Sequence, residues 1–270
     1  MRNAIFWIVA IIITLAASVY QHATGPTHPA RGEARLGSVY IKYKLIRSHG
    51  GETDAPISIQ ATDTSINGVL VYKRYKLSED WTEIPLQRKG DQLVANLPHQ
   101  PSAGKLEYYL RLYHGNQMIT VPPDRVLVIR FKGAVPAWAL TPHIILMFAA
   151  MLFSTRAGLE ALVKSGNPRK LAIWTAGLLF LGGMIGGPIV QKYAFGHFWT
   201  GIPYGWDLTD NKTLIAMIGW IIAVWAGRSG KSARAYVLAA SLLLLLIFSI
   251  PHSMMGSELD YSTGKVITGE

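Results

Sequence analysis

The hydrophobic and polar positions of this chain fall into three regimes. Residues 4–20 carry no charge and follow a single Arg2; residues 33–132 alternate apolar and polar side chains in short runs; from residue 137 long apolar stretches return. An uncharged run such as 4–20 suits a membrane-spanning helix or the core of a signal peptide. Residues 1–22 are therefore expected as an N-terminal membrane anchor, with cleavage near Ala16-Ala17-Ser18 as the alternative. Gly25, Pro26, Pro29 and Gly32 interrupt regular structure, so 23–32 reads as an extended linker.

In the middle regime a period of two marks half-buried strands. Val39, Ile41, Tyr43 and Leu45 share one face, as do Leu70 and Tyr72, and the dipeptides Asn67-Gly68 and Gly115-Asn116 suit tight hairpin turns. Further strands are expected at 57–60, 81–86, 92–97, 106–114, 117–121 and 126–131. Such spacing predicts an all-β immunoglobulin or fibronectin type III-like sandwich over 33–132. Leu97-Pro98, followed by Gly104-Lys105-Leu106-Glu107-Tyr108-Tyr109-Leu110, resembles the fibronectin-like turn into a strand that carries a corner tyrosine.

The third regime offers four candidate spans, 137–155, 171–190, 208–227 and 235–255, each close to the roughly 20 residues that cross a hydrocarbon layer. The fold class expected is a multi-domain membrane protein: N-terminal transmembrane helix, exported sandwich, and a C-terminal four-helix transmembrane bundle over 137–255. Residues 256–270 then form an extracytoplasmic tail.

Charge sets the orientation. The 26 Lys+Arg against 16 Asp+Glu give a formal charge of +10. Arg156, Lys164, Arg169 and Lys170 follow the first bundle span, and Arg228, Lys231 and Arg234 follow the third, so the positive-inside rule places both connections in the cytoplasm. Asp207, Asp210, Glu258, Asp260 and Glu270 fall on the opposite side. The chain is thus expected N-in and C-out in a bacterial inner membrane, with the sandwich in the periplasm or extracytoplasmic space. Its partners are expected to be the lipid bilayer and other membrane or periplasmic protein subunits, not nucleic acid. A content of 16% charged and 50% apolar residues argues against one soluble globule. The absence of cysteine excludes disulfides, thiolate metal sites and iron–sulfur clusters.

Candidate chemistry gathers at the outer side. His143 lies six residues inside the first bundle span, roughly 9 Å deep by helix rise, where an ionisable group needs a partner. Pro142-His143 is echoed by Pro251-His252 near the end of the last span, and His197 lies in the loop between the second and third spans. His143, His197 and His252 are thus candidate ligands of haem b or a transition metal. The competing reading is that each histidine bonds a carbonyl or sits at headgroup level. The loop QKYAFGHFWTGIPYGWDLTDNK, residues 191–212, holds Tyr193, Phe195, Phe198, Trp199, Tyr204 and Trp206. It reads either as an interfacial aromatic belt or as a structured segment holding a flat cofactor. Asp207-Leu208-Thr209-Asp210 has the spacing of a capping box, with Asp207 or Asp210 alternatively orienting His197, and Lys212 is expected to reach outward. Gly182, Gly183, Gly186 and Gly187 form overlapping small-xxx-small patterns for close helix packing.

Phe195-Gly196-His197-Phe198-Trp199, with Gly205-Trp206-Asp207, resembles the tryptophan-rich periplasmic loop of the haem-handling membrane proteins of cytochrome c maturation. The resemblance implies cofactor binding by His143 and His252 as flanking ligands, with Trp199, Trp206 and Asp207 in the loop. No P-loop, dinucleotide fingerprint, nucleophile elbow or H-E-x-x-H motif occurs, which leans away from an enzyme. The function expected is an accessory subunit of an extracytoplasmic redox or haem/metal-handling assembly. The alternative is a non-catalytic scaffold or adhesion protein whose sandwich binds a protein or glycan.

Overall fold

The structure is a computed structural model that describes residues 1–228, 233–251, 254 and 256–268. The chain divides into two compact units, a helical one (Met1–Pro26, Val135–Gly256, Thr268–Glu270) and a β-rich one (Thr27–Ala134, Ser257–Ile267).

The β unit begins with an antiparallel pair, β1 (Ala30–Leu36) and β2 (Val39–Leu45). Gly37, at φ +63°, makes the left-handed turn between them. There follow β3 (Ser48–Gly50), β4 (Ala55–Gln60), β5 (Asn67–Arg74), β6 (Thr82–Pro85), β7 (Gln87–Lys89), β8 (Gln92–Leu97), β9 (Lys105–His114), β10 (Gln117–Val121) and β11 (Leu127–Lys132). One sheet runs β3-β11-β9-β5-β6 with β10 added to β9, and a second runs β4-β8-β7. Alternation produces the core: β2 buries Ile41, Tyr43 and Leu45, β4 buries Ile57 and Ile59, and β9 buries Leu106, Tyr108, Leu110 and Leu112 in one cluster. The result has sandwich character: these two sheets, with the β1-β2 pair, share one apolar interior.

Three expectations change. Residues 30–32, read as linker, belong to β1, because Ala30, Ala34 and Leu36 alternate inward opposite Leu45, Ile41 and Val39. Asn67-Gly68 makes no turn. It opens β5 opposite Tyr113 and Leu112, and a Cβ on Gly68 would lie 2.8 Å from Leu112 Cδ2, so glycine serves close strand approach. Tyr108 is fully buried and its hydroxyl donates to Ile46 O at 2.6 Å, tying β9 to a distant connection rather than closing its own corner.

The segment expected as a tail instead contributes β12 (Glu258–Asp260) and β13 (Lys265–Ile267), an antiparallel hairpin of the β unit. Glu258 meets Lys105 at 2.5 Å and Lys76 at 3.0 Å. The Tyr261 hydroxyl accepts from Lys105 N at 3.0 Å, Leu259 N donates to Ala103 O at 3.0 Å, and Arg130 donates to Ser257 O. Burial pushes the Glu258 carboxyl up, but the hydrogen bonds and charges of Lys105 and Lys76 outweigh it and hold the group below the usual carboxylate range. A depressed folded-state pKa gives stability that is complete above the unfolded value, about 4.3 for glutamate, and is lost as pH falls through the folded value. Hydrogen exchange of the hairpin is therefore expected to accelerate below about pH 4, and Glu258→Gln to remove that pH dependence.

The helical unit comprises α1 (Arg2–Thr24), α2 (Ala137–Leu162), α3 (Arg169–Leu179), a π-helical turn (Phe180–Gly186) continuing into α4 (Gly187–Phe195), α5 (Leu208–Ala226) and α6 (Ala233–Ser249). Gly25-Pro26 stops α1, and Gly196, at φ +86°, caps α4 in the left-handed conformation. Ala150, Met151, Ala157, Leu179, Met217, Trp220, Val237 and Leu244 share one core. Three helices among the described residues are long and apolar enough to cross a membrane: Arg2–Thr24, Ala137–Leu162 and Arg169–Phe195. α6 is a shorter apolar helix, and α5 carries Asp210, Asn211 and Lys212 near its start.

Candidate functional site

The aromatic loop is built on buried polar groups. Asp207 caps α5 by accepting from Thr209 N at 2.8 Å, but the expected box does not close, because Asp207 N donates to Thr200 O at 3.1 Å instead of to Asp210. The Asp210 carboxylate accepts from Thr200 N at 2.6 Å, Thr200 Oγ1 at 3.1 Å and Gln191 Nε2 at 3.0 Å, so it fixes the loop backbone. Asn211 Oδ1 accepts from Ile202 N at 2.8 Å. These are the partners that polar groups in an apolar helical setting require. Sequence reasoning passed over Gln191, Thr200 and Asn211. Their signal was the placement of hydrogen-bonding side chains at the ends of otherwise apolar stretches.

Lys212 does not reach outward. It is buried, and its ammonium donates to Ile250 O at 2.9 Å and Pro251 O at 3.4 Å. The reason lies in α6, whose C-terminal carbonyls have run out of helical donors.

With its polar atoms turned in, the loop turns its rings out. Tyr204 is 82% and Trp206 69% exposed, and Phe198 and Ile202 are exposed beside them. Trp199 is half-buried, its indole N–H donating to Ile202 O at 3.1 Å. The backbone N–H of Trp206 donates to Thr268 Oγ1 at 3.2 Å, and Ile202, Pro203, Tyr204, Gly205, Trp206 and Thr268 line an open depression. Trp138 of α2 and Tyr193 of α4 add an edge-to-face pair at 5.9 Å.

His143 sits half-buried on α2 against the π-helical turn, and its Nδ1 lies 2.9 Å from Gly182 O. A carbonyl only accepts, so Nδ1 donates this hydrogen bond and Nε2 is the ring nitrogen left for another partner. The same Gly182 O also accepts the Gly187 N–H that closes the π turn. The glycines permit this approach: a Cβ on Gly182 would lie 2.8 Å from Leu146 Cβ, and one on Gly186 3.4 Å from His143 Nδ1. His197 is exposed in the loop, and His252 lies outside the described residues. Among the described residues no three His, Cys, Asp or Glu side chains form a group able to hold a metal.

No protein-family model matches the chain, and no curated protein matches it. The resemblance to haem-handling proteins thus rests on the loop residues alone. Matching solved structures include the FN1-FN3 domains of chicken CNTN1, at 10% identity and a TM-score of 0.24, covering 37% of this chain and 38% of that one. That is a loose sandwich resemblance.

Proposed function

We propose that the chain is an integral inner-membrane accessory subunit that holds a partner protein on its extracytoplasmic side. The observation that carries this reading is the inverted loop at 196–207, polar groups folded inward and Phe198, Tyr204 and Trp206 outward. Rigid aromatic side chains on a fixed backbone are the usual anchors of protein interfaces. Connectivity supports the sidedness. The chain leaves the β unit at Ala134 and rejoins it at Ser257, so an even number of crossings separates these points. α2 and α3 with α4 are long and apolar enough to supply two of these crossings, and α5 and the shorter α6 are proposed as the other two, with the start of α1 in the cytoplasm in keeping with the basic connections.

The double replacement Tyr204→Ser with Trp206→Ser is expected to leave the protein folded and inserted while converting a larger native assembly into the free chain. Native electrophoresis of mildly solubilised membranes measures this. A wild-type protein that migrates as the free chain contradicts the reading.

The His143 hydrogen bond favours a second reading, in which the assembly handles haem b or a transition metal. A histidine whose Nδ1–H is held by a carbonyl presents Nε2 in the manner of an axial ligand. His197 and His252, with Trp199, Trp206 and Asp207, complete the proposed cofactor-binding set. Under this reading purified protein shows a Soret band or bound metal, and His143→Ala abolishes it.

A further inference from the structure

We propose that the opposite end of the helical unit holds a binding site for the phosphate headgroup of an anionic phospholipid. A cavity of about 280 Å³ lies between α3, α5 and α6. Ala172, Val224 and Val237 form its apolar wall, and Asn167, Arg169 and Arg234 stand at its polar side. Arg234 is held rigidly, donating to Ala161 O at 2.9 and 3.0 Å and to Lys164 O at 3.1 Å. These are carbonyls at and just beyond the C-terminus of α2, so among the described residues no carboxylate pairs with Arg234, which brings a fixed positive charge, while the free fork for a ligand is that of Arg169. Arg169 is exposed and its guanidinium has no hydrogen-bond or ion-pair partner among the described residues. Among the described residues no carboxylate lines the cavity, and Glu160 is taken by Arg156 at 2.8 Å.

Two guanidinium groups beside an apolar wall match a ligand that is anionic at one end and apolar at the other. A phosphodiester accepts the forked donors of arginine. Acyl chains account for the wall. Basic pockets between helices on the cytoplasmic side are suited to such headgroups. The inference rests on the membrane-spanning reading for the level of the cavity and is independent of the aromatic loop. Reporter fusions that misplace the 163–168 connection overturn the membrane topology, whereas the following test addresses the lipid alone.

Full-length protein in mild detergent is incubated with phosphatidylglycerol or phosphatidylcholine and weighed by native mass spectrometry. One phosphatidylglycerol per chain is expected to stay bound, with phosphatidylcholine released. Arg169→Gln is expected to weaken retention about fivefold, while Lys170→Gln, outside the cavity, leaves it unchanged. Ala233→Leu, which fills the cavity without altering charge, is expected to weaken retention as well, and thermal melting verifies that each variant is folded. Equal retention of both lipids, or wild-type retention in both cavity variants, overturns the proposal. So does stabilisation by inorganic phosphate without lipid retention, which marks a free-anion site.

Discussion

Replacing Arg156 by alanine is expected to loosen α1 from the helical unit and to cost about 3–5 kcal/mol, the penalty of breaking a buried ion pair from one side. Arg156 is only 5% exposed. Its guanidinium donates to Glu160 Oε2 at 2.8 Å and to Asn3 Oδ1 at 2.8 Å, and stands 5.1 Å from the Phe6 ring and 5.6 Å from the Trp7 ring. Trp7 in turn meets Phe153 edge-on at 5.3 Å. The other end of α1 is held by Gln21, which donates to Phe248 O at 2.6 Å. A fall in melting temperature, with faster proteolysis of residues 1–26, checks the prediction; unchanged melting counts against it. Arg156→Lys is expected to recover only part of the loss, because an ammonium cannot span Glu160 and Asn3 with one planar fork.

Asp210→Ala is expected to be the second largest effect, about 3 kcal/mol. It strips the acceptor from the buried Thr200 N and Thr200 Oγ1, donors that each cost about 1–3 kcal/mol when unsatisfied, whereas Gln191 Nε2 keeps Thr200 Oγ1 at 2.6 Å. The loss falls on the loop, so the emission of the half-buried Trp199 is expected to shift to the red and residues 196–207 to become protease-sensitive. A variant whose tryptophan emission and cleavage match the wild type contradicts the assigned role. Asp210→Asn keeps one carbonyl oxygen and is expected to lie between the two.

The regular alternation of β2, β8 and β9 was readable from sequence because a half-buried strand writes its inward face at every second residue. Asn67-Gly68 misled because a glycine needed for strand approach looks the same in sequence as one needed for a turn. The hairpin Glu258–Asp260 with Lys265–Ile267 was hidden for another reason. Its attachment depends on Lys76, Lys105 and Ala103, far away along the chain, and is charged rather than apolar. In the helical unit the Asp207 cap was legible as a local pattern. The burial of Lys212 was not, since it depends on where α6 ends. Likewise the glycines announced close packing, but only the fold shows that the π turn brings Gly182 O to His143.

The C-terminal hairpin also dictates an order of events during synthesis. The β unit takes β12 and β13 from residues that leave the ribosome after α1 to α6 have been made. Until then Lys105, Arg130 and the backbone oxygen of Ala103 await the strands that neutralise or bond them. A chain arrested before residue 257 therefore carries a β unit without its closing hairpin, with those groups left bare.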